Sequence, residues 1–226
     1  MVERKHKFAV YGTDGFGREV MPIVRARGTH LGPGEGPGAV DAVFVDDDER
    51  MQGREINGAR VISRKELLAE PDRERGIIIA IADPQTRKSI AEALAAEGFR
   101  FPTLTDRAAI IMDGNEMGEG GIYCANSMVT SNARIGRMFH NNIYAYVTHE
   151  TVIGDYVTFS PRVSCGGRVV IEDMAFIGAA AVIRPGKPGE PIVIGAGATV
   201  GMGAVVTRSV PPGETVVGNP ARPLRK

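Results

Sequence analysis

The sequence predicts an α/β domain over residues 1–106, followed by an all-β parallel β-helix over residues 107–226. In the first half, strand-like apolar segments alternate with helix-like segments, as in a parallel sheet with helical crossovers. The second half is rich in Gly, Val and Ile, has few helix formers, and repeats its apolar residues every six positions. These observations together predict two domains of different class.

The α/β half is predicted from the alternation of short apolar runs with turn and cap residues. Pro22 lies within the first predicted helix, where it removes a hydrogen bond and predicts a kink or a late start. Gly and Pro are frequent over residues 28–41, which predicts a loop. The predicted elements, in chain order, are a strand at 7–11, a glycine turn at 12–17, a helix at 18–27, strands at 42–45 and 60–62, a helix at 64–69 capped by Ser63, a strand at 76–82, and a helix that starts at Pro84 with Asp83 as its N-cap.

The second half has a six-residue period that extends over residues 111–183. Asn141 is the one polar residue in this frame, and a small or β-branched residue follows four positions later in each repeat, with Phe139 as the exception. Five extra residues at 187–191 interrupt the frame, which then resumes. Neither a helix nor an ordinary strand keeps such a period, so we expect stacked coils with one inward residue per hexad.

Composition excludes several classes of protein. Basic and acidic residues balance at 27 each, which argues against a nucleic-acid binder. The longest strongly apolar run, residues 76–82, is too short to span a bilayer, and the N-terminus lacks the apolar stretch of a signal peptide. Two cysteines do not make a disulfide framework. We therefore expect a cytoplasmic protein without membrane or nucleic-acid partners.

Several short segments, taken in their order along the chain, resemble those of a known family. They are Gly12–Gly17, Val45–Asp47, Ala80–Asp83, Asn142–Glu150, Val152–Asp155, Phe176–Gly178 and the Gly-Asn-Pro-Ala tail at 218–221. Over nearly its full length the chain resembles the PglD-like and sialic acid O-acetyltransferase-like sugar acetyltransferases of the hexapeptide superfamily. The resemblance implies a Rossmann-like N-terminal domain, a left-handed β-helix and a homotrimer.

The same resemblance implies an acetyl-CoA-dependent N-acetyltransferase that acts on a nucleotide-linked amino sugar, in polysaccharide or glycan biosynthesis. The family's catalytic histidine falls on His149, and the acidic residue after it falls on Glu150. The thioester already carries a good leaving group, so the missing component is a base for the proton of the attacking amine. Histidine suits that task near neutral pH, and a carboxylate can orient its ring. No covalent acyl-enzyme is required.

Binding positions also follow from the resemblance. Those for the nucleotide sugar fall on Asp14, Gly15, Phe16, Asp46, Asp47, Ala82 and Asn142. Those for acetyl-CoA fall on Thr158, Gly167, Ala179 and Met202. The chain departs from the family at Phe16 and Thr158, where histidine is usual, and at Ala82 and Pro84, where Gly and Asn are usual.

Other interpretations of these residues remain open. His149 by its spacing alone could be a surface histidine, and Asp46–Asp48 could be a solvated strand end. His140 and His149 are the two histidines of the second half, which is too few for a three-histidine zinc site, so we expect no metal. The insert at 187–191 could be a plain outward loop or could shape the acetyl-CoA site. The alternatives for function are sugar O-acetylation and a non-catalytic sugar-nucleotide-binding subunit.

Overall fold

A computed structural model describes residues 6–26, 40–71 and 73–224 of the chain. Their contacts divide them into two compact units, the first formed by residues up to 82 together with 86–105, and the second by 83–85 together with the residues from 106 onward. Within the described ranges, no helix is long and apolar enough to cross a membrane.

The first unit is an α/β unit built on a five-stranded sheet. Its elements are β1 (His6–Tyr11), α1 (Gly15–Arg25), β2 (Val40–Val45), β3 (Glu55–Ile56), β4 (Ala59–Ile62), α2 (Arg64–Ala69), β5 (Gly76–Ile79) and α3 (Pro84–Ala96). The strand order is β3-β4-β2-β1-β5, and every neighbouring pair is parallel except the β3–β4 hairpin. The central strand β1 therefore pairs with β2 on one side and with β5 on the other.

Helix α1 begins at Gly15, three residues before the predicted start at Arg18, so of the two alternatives that Pro22 predicted, a kink or a late start, the late start is wrong. The turn before it is tight enough to need glycine, because a β-carbon on Gly17 would lie 2.0 Å from the carbonyl oxygen of Gly12. Strand β2 begins at Val40, two residues earlier than predicted, and the rest of the predicted loop at 28–41 lies outside the described residues.

The hairpin of β3 and β4 was predicted only in part, because the sequence analysis recognised the strand at β4 but not the one at β3. Its turn is Asn57-Gly58, and both residues have positive φ angles of 48° and 73°. This pairing of Asn and Gly is the usual chemistry of a two-residue hairpin turn.

The second unit is a coil of very short strands, which follow β6 (Leu104–Thr105) along the chain. They are β7 (Ile110–Ile111), β8 (Glu116–Met117), β9 (Ile122–Tyr123), β10 (Met128–Val129), β11 (Arg134–Ile135), β12 (His140–Asn141), β13 (Tyr146–Val147), β14 (Val152–Ile153), β15 (Thr158–Phe159), β16 (Ser164–Cys165), β17 (Val169–Ile171), β18 (Phe176–Ile177), β19 (Val182–Ile183), β20 (Ile192–Ile194), β21 (Thr199–Val200), β22 (Val205–Val206), β23 (Thr215–Val217) and β24 (Arg222–Pro223).

The strands form three sheets, each taking every third strand as far as β22. The first face contains β7, β10, β13, β16, β19 and β22, the second face β8, β11, β14, β17 and β20, and the third face β6, β9, β12, β15, β18, β21, β23 and β24. Pairing within each face is parallel up to the final antiparallel strand, β24. The predicted parallel coil of hexads is thus confirmed, with a stacking interval of 18 residues, as between Val147 and Cys165.

The inward frame of the hexads is buried from Tyr123 onward, including the polar Asn141. Phe139, the exception in the small-residue frame, explains how that layer is filled. Its ring lies 5.9 Å from the ring of Tyr123 and 5.1 Å from that of Phe159, edge to face with both. A large residue two positions before Asn141 therefore occupies the space that the small inward side chain leaves.

The five-residue insert at 187–191 forms a small hairpin. The backbones of Lys187 and Glu190 exchange hydrogen bonds of 2.9 and 3.0 Å, and Gly189 takes a positive φ of 75° between them. The strands on either side keep their register, since Val169 pairs with Ile192.

Candidate active site

His149 lies in the turn between β13 on the first face and β14 on the second. Its side chain is 52% exposed, and its Nδ1 atom is 3.4 Å from Oε2 of Glu150. Glu150 has a positive φ of 58°, as the second turn residue does at many corners of this coil. The predicted pair of imidazole and carboxylate is therefore present at one corner, which is here called the His149 corner and comprises residues 148–151 and 166–168.

Gly167 lies directly beside His149, in the next coil. A β-carbon added to Gly167 would lie 2.7 Å from Cε1, 2.8 Å from Nε2 and 3.0 Å from Nδ1 of the ring. Such distances are too short for carbon against a ring, so the imidazole can lie across this backbone because residue 167 has no side chain. Of the four residues predicted for acetyl-CoA, Gly167 is the one that contacts His149.

Arg168 is a member of this cluster that the sequence interpretation missed. Its Nη2 atom lies 2.6 Å from Oε2 of Glu150, and its backbone nitrogen donates to the carbonyl of His149 at 3.1 Å. The signal that could have found it is the interval of 18 residues between Glu150 and Arg168, which is one full coil.

Ala179 and Met202 lie at a different corner, where the chain passes from the third face to the first. This Met202 corner comprises residues 142–145, 160–163, 178–181 and 201–204. The two residues are in consecutive coils, because Gly203 donates its backbone hydrogen to the carbonyl of Ala179 at 2.8 Å. Met202 is 81% exposed, which is unusual for a large apolar side chain. Within one chain, these two residues and His149 flank opposite edges of the first face.

Thr158, His140 and Asn142 are also away from the His149 corner. Thr158 is 3% exposed on the third face, where it pairs in register with His140, which is buried too. Asn142 begins the Met202 corner, and its Oδ1 atom accepts from the backbone nitrogen of Ile143 at 2.7 Å. In one chain, therefore, the structure does not bring Thr158 or Asn142 together with His149.

The predicted nucleotide-sugar positions of the first unit share one edge of its sheet. The turn at 12–17 follows β1, Asp46 and Asp47 follow β2, and Ala82 follows β5. These three strands are parallel neighbours with β1 in the centre, so their carboxyl ends meet at the point where the strand order reverses. Such a switch point is the usual ligand crevice of an open parallel sheet.

The acidic residues at this edge differ in how far they are already engaged. Asp46 accepts hydrogen bonds from the backbone and the hydroxyl of Thr13 and from the backbone nitrogen of Asp48. Asp47 accepts from the hydroxyl of Tyr11 at 2.5 Å, and burial together with this bond raises the pKa of Tyr11. Asp14 precedes α1 without making a side-chain cap and is exposed. Asp46 thus braces the glycine turn, while Asp14 and Asp47 are the more accessible acids.

A second residue that the sequence interpretation missed supports the end of β5. Arg87 of α3 is fully buried, and its Nη1 atom donates to the carbonyls of Ile81 at 2.7 Å and Ala82 at 3.1 Å. These charge-assisted bonds hold the backbone at a predicted substrate position.

Among the residues that the structure describes, no group of three or more His, Cys, Asp or Glu side chains is arranged to hold a metal ion. The two cysteines are both buried, and burial raises the pKa of the Cys165 thiol to about 12. The His149 corner presents an exposed imidazole beside a carboxylate.

Comparison with known proteins identifies both halves of the chain. Residues 7–94 match the PglD N-terminal domain, and residues 168–208 match the hexapeptide repeat of succinyl-transferase. The GDP-perosamine N-acetyltransferase of Escherichia coli O157:H7 is 41% identical over 219 residues, which cover 97% of this chain and 96% of that protein.

Solved structures agree over the same span. WeeI from Acinetobacter baumannii AYE has a TM-score of 0.88 at 44% identity and covers 96% of this chain and 99% of its own. The acetyltransferase domain of PglB from Neisseria gonorrhoeae FA1090, in complex with acetyl coenzyme A, has a TM-score of 0.82 at 30% identity and covers 98% of this chain and 100% of its own. The resemblance inferred from the ordered segments is confirmed by these matches.

Proposed function

This chain belongs to the PglD-like sugar N-acetyltransferases of the hexapeptide superfamily, and we propose that His149 is the base in its reaction. The enzyme transfers the acetyl group of acetyl-CoA to the amine of a nucleotide-linked amino sugar. The observation that carries the role of His149 is its exposed ring, which lies beside Glu150 and across the bare backbone of Gly167.

The reaction needs one nucleophilic attack and two proton transfers. The neutral amine attacks the thioester carbonyl carbon, and the bond from that carbon to sulfur breaks as CoA leaves as a thiolate. Nε2 of His149 takes the proton that the amine nitrogen loses, and the imidazolium can return it to the thiolate. The products are an N-acetyl sugar and CoA. Glu150 accepts from Nδ1, which directs the lone pair of Nε2 toward the nucleophile.

The first unit supplies the nucleotide site of this proposal. Its strand order, with β1 between β2 and β5, supports a Rossmann-like domain that binds the nucleotide at the carboxyl edge of the sheet. Backbone donors at the start of α1 suit a diphosphate, and Asp14, Phe16, Asp47 and Ala82 line the same edge. GDP-perosamine, named for the Escherichia coli relative, is the first substrate to test.

A homotrimer of left-handed coils would complete the acetyl-CoA site. The outward residues of the first face are mostly apolar, and Ile110 and Val182 are exposed in the single chain. If this face surrounds a threefold axis, the His149 corner of one copy meets the Met202 corner of the next. Acetyl-CoA would then lie between Gly167 of one subunit and Ala179 and Met202 of its neighbour, which would cover the exposed Met202 side chain.

Release of the CoA thiol tests the proposed function directly. The purified protein with acetyl-CoA and GDP-perosamine should release thiol and form the N-acetyl sugar, whereas His149→Ala should lose on the order of 10²–10⁴-fold in kcat. Glu150→Gln should lose less, because it removes orientation rather than the base. Since Cys124 and Cys165 are buried, a thiol reagent in this assay reports CoA.

Three results would each overturn part of the proposal. Turnover with a sialic acid acceptor but with no nucleotide amino sugar would make the enzyme an O-acetyltransferase. Thermal stabilisation by a nucleotide sugar without any thiol release would make the chain a binding subunit. Full activity of His149→Ala would remove the role of the imidazole while leaving the transferase intact.

A further inference from the structure

We propose that Arg168 is a positioning residue for the acetyl transfer, which holds the Glu150 carboxylate in place and offsets its charge so that His149 stays a neutral base. The inference rests on the proposed function. It assigns a role to a side chain that contacts the carboxylate and not the reacting atoms.

The carboxylate of Glu150 has two donors on one oxygen. Arg168 lies 2.6 Å from Oε2, whereas Nδ1 of His149 lies 3.4 Å from the same atom. The shorter, charge-assisted contact determines where the carboxylate lies, and the ring follows the carboxylate. Without the guanidinium, the carboxylate of Glu150, whose side chain is half exposed, would remain near the ring but would lose the contact that fixes Oε2 opposite Nδ1.

The backbone also places Arg168 for this task. Its φ of 57° puts it in the left-handed turn position directly above Glu150, whose own φ is 58°. The preceding residue, Gly167, contacts the face of the His149 ring, and the backbone nitrogen of Arg168 donates to the carbonyl of His149. The same turn of the coil thus contacts the ring through Gly167 and the carboxylate of Glu150 through Arg168.

Charges around the ring explain the second part of the proposal. Ser131 and Asn132 of the preceding coil are neutral, so Glu150 and Arg168 dominate the local field, and their charges sum to zero. The other charged residues along the same edge of the coil are Asp113 two coils before His149, Arg184 two coils after Thr148, and Lys187 with Glu190 in the insert, which pair with each other at 3.9 Å. Removing the guanidinium would leave one net negative charge beside the ring and favour its protonated form.

The test compares Arg168→Gln with Arg137→Gln as a matched control. Arg137 also pairs with an acidic residue 18 positions away, since its Nε atom lies 3.2 Å from Oδ2 of Asp155, but it lies at the corner between the second and third faces. In Arg168→Gln, the acidic limb of the kcat/KM profile should move up by about half a pH unit, as for the loss of one exposed charge contact. Arg168→Lys should keep the limb close to its position in the unmodified enzyme, and Arg137→Gln should leave it in place.

A second measurement does not depend on turnover. Proton NMR of the histidine ring resonances, assigned with His149→Gln, should show the same upward movement of the His149 titration midpoint in Arg168→Gln. The movement should be smaller in a Glu150→Gln background, because the part that comes from the unpaired carboxylate is then absent and only the direct effect of the guanidinium charge on the ring is left. Profiles and midpoints of Arg168→Gln that match those of Arg137→Gln would overturn the role of Arg168. Absence of thiol release from the unmodified enzyme would instead overturn the proposed function, while the NMR result still decides the role of Arg168.

Discussion

The proposed role of His149 as a base requires that its ring keep its place against the next coil. That place exists because Gly167 has no β-carbon, since one would lie within 3.0 Å of three ring atoms. Gly167 does not have a positive φ angle, so alanine is compatible with its backbone and the substitution changes the space under the ring rather than the fold.

Gly167→Ala should therefore lower kcat with little loss of stability. The added methyl displaces the imidazole by about 1 Å, and a misplacement of that size costs on the order of 10²-fold in rate. Steady-state kinetics and the thermal midpoint measure both effects. A rise in KM for acetyl-CoA with kcat unchanged would contradict the role of Gly167 beneath the ring, and would make it a cofactor contact alone.

The layers of the coil depend on volume as well as on pattern. In the coil of Asn141, the inward position carries a short amide, and Phe139 supplies the missing volume against Tyr123 and Phe159. Close packing of this kind makes the loss of a large side chain expensive, because the neighbouring coils are held by their ladder bonds and cannot collapse into the space.

Phe139→Ala should lower the free energy of unfolding by about 3–5 kcal/mol, as expected for a buried aromatic residue. Urea unfolding at a fixed protein concentration measures the change. Tyr144→Ala provides the control, because Tyr144 is exposed on a turn of the following corner and its loss should cost less than about 0.5 kcal/mol. Equal losses in the two variants would show that Phe139 does not fill the layer.

The arrangement of the three faces gives the coil an unequal exterior. The outward residues of the first face are mostly apolar, whereas those of the second face include Glu116 and Arg134. An apolar strip of this kind on one side is typical of a surface that another chain covers. The proposed trimer therefore uses the face that separates His149 from Met202.

Val182→Glu should dissociate the trimer, because it places one charge per subunit at the proposed threefold contact. Sedimentation velocity at micromolar concentration should show a trimer for the unmodified protein and smaller species for the variant, with acetyl transfer reduced in parallel. Val152→Glu is the control, since Val152 occupies the corresponding outward position on the second face. A monomer in the unmodified protein, or an intact trimer in Val182→Glu, would contradict the arrangement.

Residues close together in the sequence were enough to predict most helices and strands and the inward-facing positions of the hexads. The strand at β1, helix α2 with its Ser63 cap, and the start of α3 at Pro84 agree with prediction, because each has a run of apolar residues or a cap residue at its end. The early start of α1 was missed because Gly15 and Gly17 favour turns, and helicity there depends on close packing against Gly12. β3 was missed because it is two residues long.

By itself, the sequence determined the hexad repeat, the two-part organisation and the position of the imidazole with its carboxylate, because these depend on residues that are close together in the chain. The tertiary structure decided that Gly167 and Arg168 join them, that Ala179 and Met202 lie at another corner, and that Thr158 is buried. Those relations span a whole coil or more. They depend on how the coils stack and on the direction of each side chain, which a repeat read along one dimension does not specify.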